Sequence, residues 1–471
     1  METSARRLRI LLGTLVFVLV FEGVLRKLVG GWMKIAIFFL KDFIVMWMAL
    51  IVAGMPKAPG IGSLWRGYMW LLVLFLPMAF ATALRDPILA VFGLERYLLM
   101  PMVAFAVFGA FEKTPVEVFV SFFRKLGLLL IPTALLALLQ LRLPMDHWLN
   151  MSVGGTSVEW FSAAEKLRVS SSFPFVAQYC MFLNMQVFAC AVALNGFQRM
   201  TRWQKLLYLT LPFALVLSAY ATGSRGAVLG GAVIAMLAVG IAFLKGQRGA
   251  VISVAITAVV LYGGFTVLKS VFPDAFVVYE AREEGKFLSF STENRERTLG
   301  MFKDVFSGDS DLSVFGNGLG VMSNGSERVS SYAYGWRKQG FWTETDLATT
   351  IFEGGIYLML VWYGFRIWVI ARTMRQILHG IKVTYAIPAA FCQGYIILQG
   401  LMGTLGIQPP LAMWWWMAVG AVAILHQKST SSDDDGLGMA LLDHTREAGG
   451  TKQRVRGRSI YADQLHSGVH K

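Results

Sequence analysis

The chain has 471 residues, of which 56% are hydrophobic and only 15% charged, with a formal net charge of +14. Soluble domains run nearer half apolar and a quarter charged, so this balance excludes an ordinary soluble globular protein. The positive charge does not call for nucleic acid, because its distribution among the loops follows membrane orientation instead.

The apolar residues fall in long runs, and about 20 such residues cross a hydrocarbon core. A soluble helix would instead carry a one-sided apolar stripe. The first run, in "RRLRILLGTLVFVLVFEGVLRK", has the basic start and apolar middle of a signal peptide. It ends in Phe21, Glu22 and Gly23 without a small-x-small cleavage site, which predicts a retained first span. Further runs follow, and together they predict an all-α polytopic membrane protein of about twelve helices. These lie near residues 9–25, 34–54, 67–84, 93–111, 124–141, 173–195, 205–222, 226–244, 250–269, 347–370, 383–404 and 410–426. With the N-terminus inside, the short inner connections carry Lys57, Arg66, Lys113, Arg124 and Lys125, then Arg199, Arg202, Lys245, Arg372 and Lys382. The short outer ones, such as "GIQPP", carry few. Both termini are therefore expected in the cytoplasm.

The second run contains Lys41 and Asp42 at its centre. Charge there is costly and faces a partner or a cavity, and Glu22 and Arg26 are the nearest candidates for a structural cluster. Glu95, Arg96 and Gln140 are expected toward the outer face. Residues 142–172 form a medium periplasmic loop containing His147 and Arg168. The cysteines Cys180, Cys190 and Cys392 all fall inside spans, as small packing residues, and no CxxC or Cys/His cluster suggests a metal.

"YATGSRGAVLGG", residues 220–231, is the outer tip of a hairpin between two spans. Ser224 is expected to cap the helix that follows, and Gly223 and Gly226 allow close backbone approach. A helix start presents unpaired N–H groups and the positive dipole end. Arg225 adds a fork that matches phosphate oxygens. The other reading is an arginine that only snorkels to the interface.

Residues 270–346 form the large outer loop. Within it "ENRERTLGMFKDVF" reads as an amphipathic helix bearing Arg295 and Arg297, and "VFGNGLGVMSNG" as a glycine-rich turn. At its end, "FWTETDLATTIFEGGIYLML" puts Glu344 and Asp346 at a helix start and Glu353 two turns in. Each is either a helix-start carboxylate favoured by the dipole or a general base beside an anion site. The Trp414–Trp416 run suggests an interfacial belt. Residues 427–471, polar and poor in aromatics, suggest a disordered cytoplasmic tail after a transmembrane domain over 1–426.

The order of several short motifs resembles the bacterial O-antigen ligase and O-antigen polymerase superfamily. These are "FEGVLRKLV", "GLERYLLMP", "KLRVSSSFPF", "SRGA", "VFGNGLG" and "TETDLATTIFEGGI", and the resemblance covers roughly residues 10–425. It implies an inner-membrane glycosyltransferase with a helical fold related to the C-type glycosyltransferases, working without metal, ATP or other cofactor. Its partners would be a glycan on undecaprenyl pyrophosphate, an acceptor glycan or lipid A-core, membrane lipids and other polysaccharide-assembly proteins. By the same resemblance Arg225 and Ser224 would hold the pyrophosphate, helped by Arg168, Arg295 and Arg297, and Glu344 or Asp346 would be the base. Residues 270–346 contain no histidine, where the ligases often place one, which favours a polymerase over a ligase. A transporter of lipid-linked oligosaccharide is the rival from another class, although the chain lacks the paired repeats common in such proteins.

Overall fold

A computed structural model describes residues 2–56, 59–153, 162–163, 166–194, 200–247, 265–284, 315–323, 325–338 and 345–447. The chain divides into two units, Met1–Ser429 and Thr430–Lys471. Among the described residues of the first, eleven helices are long and apolar enough to cross a membrane. They are Glu2–Leu28, Met33–Ala53, Gly60–Ala83, Pro87–Phe111, Val116–Arg142, Val176–Ala193, Arg202–Ala221, Arg225–Leu244, Asp346–Gly380, Val383–Met402 and Pro409–Thr430. The chain is a multi-pass helical membrane protein. Its outer surface fits that class: Trp47, Trp70 and Phe80 are 63%, 67% and 68% exposed. Water penalises such a surface and lipid tails do not. The second unit holds the last turns of the helix Pro409–Glu447.

The run expected over 250–269 lies mostly outside the described residues. Its two flanks are informative. Lys245 Nζ donates to the Leu378 carbonyl at 2.8 Å, at the end of the helix that starts with Asp346. Phe265 packs on Tyr220, with ring centroids 5.1 Å apart, at the opposite end of the bundle beside Gly223.

Two spans depart from simple α-helix. Pro87–Phe111 passes through a π-helical segment at Glu95–Leu99, a local widening that often marks a functional site. Asp346–Gly380 breaks at Gly355, with φ 62° and ψ −159°, a conformation open essentially to glycine alone. The expected straight span over 347–370 is therefore bent. Asp346–Gly354 returns alongside the turns that follow it, and the two arms are tied by a buried ion pair between Asp346 and Arg366.

Lys41 joins a buried cluster with Glu22 and Arg26, and no ion pair joins it to Asp42 among the described residues. Glu22 takes Arg26 at 3.0 Å and Lys41 at 3.5 Å, and Glu22 and Lys41 are both buried. Lys41 also lies 4.0 Å from the Phe38 ring centroid, an aromatic face that attracts a desolvated cation. Arg96 is buried, 3.2 Å from Glu95. Gln140 is buried too, donating to the Leu149 and Ser171 carbonyls, so it binds the medium loop to its span.

The tryptophan run corrects the interfacial expectation. Trp414, Trp415 and Trp416 are at most 1% exposed, and Trp415 Nε1 donates to the Ile396 carbonyl at 2.9 Å. The last span is surrounded by other helices, with 94% of its apolar window buried. Its aromatics therefore fill the core and leave Trp32, 75% exposed, in the kind of place an interface needs.

Candidate functional site

The hairpin at "TGSRG" is built by its glycine. Gly223 has φ +58°, and a Cβ there would stand 2.4 Å from the Val278 side chain. Only a residue without a side chain makes so close a turn. Arg168, from the medium loop, donates from Nε to the Thr222 carbonyl at 3.2 Å, which brings that loop onto the turn. Ser224 occupies the N-cap position of the helix beginning at Arg225, but its side chain makes no capping hydrogen bond. That corrects the expected cap. The Ser224 amide instead donates to Thr222 Oγ1 at 3.1 Å, and Thr222 Oγ1 in turn donates to the Ala219 carbonyl. The Ser224 hydroxyl is thereby left on the cavity wall beside Arg225 and Gly226.

Residues 315–338 close over the same end of the bundle. Gly316, Gly318 and Gly320 all have positive φ, as the glycine-rich turn requires. The turn docks into the break of the bent helix: Asn317 and Gly318 amides donate to the Phe352 and Glu353 carbonyls at 2.9 and 2.8 Å. Glu353 is buried, and its two oxygens accept from the Met322 amide at 2.9 Å and the Tyr97 hydroxyl at 2.8 Å. Arg337 Nη2 donates to the Met322 carbonyl at 3.0 Å. A small apolar cluster of Leu89, Val321, Met322, Ala333 and Phe352, covered by Trp336, seals the attachment. Asp86 accepts from Ser330 Oγ at 2.5 Å and from the Leu89 amide at 3.0 Å, so it caps one helix and tethers the segment above it.

Below this segment lies a cavity of about 1720 Å³. Its volume exceeds the 300–1,000 Å³ range of ordinary small-molecule sites. One part of the wall is apolar, including Ile35, Phe38, Phe39, Leu229, Val233 and Met402. Among the described residues the cavity is also lined by six cations, Arg26, Lys34, Arg168, Arg225, Arg328 and Arg337, and by one carboxylate, Glu327. A cleft with one sign of charge and low-dielectric walls concentrates ligands of the opposite sign. Burial pulls the Arg337 guanidinium down from its ordinary value, while Glu327 and Glu353 nearby act against this.

Arg225, Ser224 and Arg168 all line this cavity, and Arg168 is bonded to the turn that carries the other two. Asp346 is placed elsewhere. It is buried, one oxygen is paired with Arg366 and the other accepts the Gly406 amide at 2.8 Å, and it does not line the cavity. The expectation of a catalytic Asp346 is thereby corrected, because both of its oxygens hold structural partners. Its neighbour Thr345, not a carboxylate, caps the helix through the Ala348 amide at 3.2 Å. Glu344, Arg295 and Arg297 lie outside the described residues. Sequence reading missed Glu327, Arg328 and Arg337, which sit in "SERVSSYAYGWRK", a stretch too short and polar to show a span.

The chain matches none of the known protein families, and no curated protein matches it either.

Proposed function

We propose that this protein is a membrane glycosyltransferase that takes a glycan linked through pyrophosphate to a polyprenol and transfers it to the hydroxyl of an acceptor glycan, as a polysaccharide polymerase. The cavity carries the reading. A polyprenyl pyrophosphate has a long apolar tail, two adjoining phosphates and a polar glycan. Among the described residues the cavity offers apolar lining, six cations of which Arg225 stands at a helix start, and a volume large enough to hold sugars. Transfer from such a donor needs no further activation of the sugar. The protein's tasks are to stabilise the departing pyrophosphate and to accept the proton of the attacking hydroxyl.

Arg225 and Arg168 are the proposed pyrophosphate ligands, with Ser224 beside them. In this reading the chain lies in the bacterial inner membrane with both termini cytoplasmic, the cavity opens on the periplasmic side, and the fold is of the C-type glycosyltransferase kind. The motif order shared with the O-antigen ligase and polymerase superfamily supports it.

The test is the polysaccharide made by a deletion strain complemented with wild type or Arg225→Ala at matched membrane levels. Single repeat units left on the lipid carrier with Arg225→Ala are the expected result. Full-length chains that stay on the carrier would reassign the protein as a ligase. Normal polysaccharide from the variant would remove Arg225 from the site and put a transport role first.

A further inference from the structure

Around the segment that covers the cavity, Asp86, Asp346 and Glu353 are all engaged, Asp86 by Ser330 and the Leu89 amide. Asp346 is held by Arg366 and the Gly406 amide, and Glu353 by Tyr97 and the Met322 amide. Glu327 differs. It lines the cavity, and its Oε2 is buried with no hydrogen-bond partner among the described residues. A buried carboxylate oxygen left open beside a basic cavity is costly unless something else binds there.

The backbone that carries Glu327 is fixed on both sides. Gly325, at φ +91°, turns the chain into the short helix Ser326–Val329. Ser326 Oγ then donates to the Val321 carbonyl at 2.8 Å, and Ser330 Oγ to Asp86 at 2.5 Å. Met322, which anchors the preceding turn, is itself gripped through its amide by Glu353 and through its carbonyl by Arg337. A side chain presented from so constrained a loop keeps its position, which is what a group acting on a reacting hydroxyl needs.

Given the glycosyl-transfer reading, on which this rests, we propose that Glu327 is the general base of the reaction. The acceptor hydroxyl donates a hydrogen bond to the Glu327 carboxylate. Its oxygen attacks the anomeric carbon of the donor, forming the new C–O bond as the bond from that carbon to the pyrophosphate oxygen breaks. The bonding pair leaves with the polyprenyl pyrophosphate, whose added negative charge falls to Arg225 and Arg168. The hydroxyl proton passes to Glu327, and from there to water. Among the described residues, Glu327 is the one carboxylate that lines the cavity.

The experiment compares the full chain with Glu327→Gln, Glu327→Asp and Arg225→Ala. Binding of undecaprenyl pyrophosphate without a glycan is measured in nanodiscs, and chain elongation is measured in the complemented deletion strain. Glu327→Gln is expected to bind within about twofold of wild type and to lose transfer by about 100-fold or more, the range for removing a positioned base. Glu327→Asp, which keeps the proton acceptor one methylene back, is expected to restore part of that loss. Normal elongation by Glu327→Gln, with binding intact, would overturn Glu327 as the base and leave the glycosyl-transfer reading standing. A loss of binding in Glu327→Gln as large as in Arg225→Ala would make it a ligand-site residue and equally overturn the base. No binding of undecaprenyl pyrophosphate by wild type, with polysaccharide unaffected by deleting the chain, would remove the glycosyl-transfer reading and the base with it.

Discussion

Asp346 and Arg366 lie on one helix, twenty residues apart in sequence, and form a buried ion pair. In a straight helix they would be about 30 Å apart. The break at Gly355 folds the first arm back and makes the contact. Arg366 then spends its remaining donors on the Gly400, Gln399 and Gly403 carbonyls, so the pair also holds the end of the helix Val383–Met402. Removing one partner leaves the other charged, buried and uncompensated. Asp346→Asn is expected to cost about 3–5 kcal/mol, read as lost folded yield and a lower melting temperature of the purified protein. Asp346→Leu with Arg366→Met is expected to recover most of it.

Glu353 joins the same break to the loop above. Its carboxylate accepts from a backbone amide and from a phenol, and it faces neither the cavity nor solvent. A glutamine keeps one acceptor and can give its amide hydrogens to the Tyr97 oxygen, whereas an alanine leaves two buried donors unpaired. Glu353→Gln is expected to melt within about 1 kcal/mol of wild type and to keep its activity. Glu353→Ala is expected to cost about 2–6 kcal/mol, at about 1–3 for each orphaned group. Loss of activity in a well-folded Glu353→Gln would instead give the carboxylate a direct role.

The spans were legible because membrane crossing demands length and hydropathy, and both are local. The arginine hairpin was legible for a related reason: glycines and a charge between two apolar runs have few uses. The Trp414–Trp416 run was misread because lipid and protein interior are equally apolar, so hydropathy does not distinguish a lipid-facing side from a helix-facing one. Asp346 was misread because its partner Arg366 lies beyond a break that only the φ and ψ of Gly355 reveal. Glu327 was invisible for a third reason. Its placement depends on Met322, Glu353 and Arg337 meeting across the loop, a contact set with no sequence period.

Asp86 makes the loop attachment sensitive to acid. Burial is the largest single influence and raises its pKa, but the hydrogen bonds from Ser330, Leu89 and Ile88 together outweigh it and hold the carboxyl below its ordinary value. A depressed folded-state value stabilises the protein above the unfolded-state pKa, about 3.9 for aspartate, and that stability is lost as pH falls through the folded value. The difference in melting temperature between wild type and Asp86→Asn is therefore expected to stay constant at and above about pH 5 and to shrink below about pH 4. A difference that changes mainly between pH 6 and 8 would point to another group.

Gly223 and Gly226 bracket Arg225 and separate the making of the turn from its use. Gly223 has φ +58°, and a methyl there would run into the buried Val278. Gly223→Ala is expected to lose about 1–3 kcal/mol from backbone strain alone. The turn's displacement would also break the Arg168 bond to the Thr222 carbonyl, so stability and ligand binding should fall together. Gly226 is helical, and a methyl there would meet only Ser224 Oγ, at 3.6 Å. Nothing in the fold opposes it, and alanine is the better helix former by about 1 kcal/mol. The added methyl does narrow the wall beside Arg225, where the proposed pyrophosphate needs close backbone approach. Gly226→Ala is thus expected to melt at or above wild type while binding undecaprenyl pyrophosphate more weakly, measured on the same nanodisc preparation. Equal binding at unchanged stability would mean that the phosphates do not sit on the start of this helix, and the arginines would have to hold them from the opposite wall.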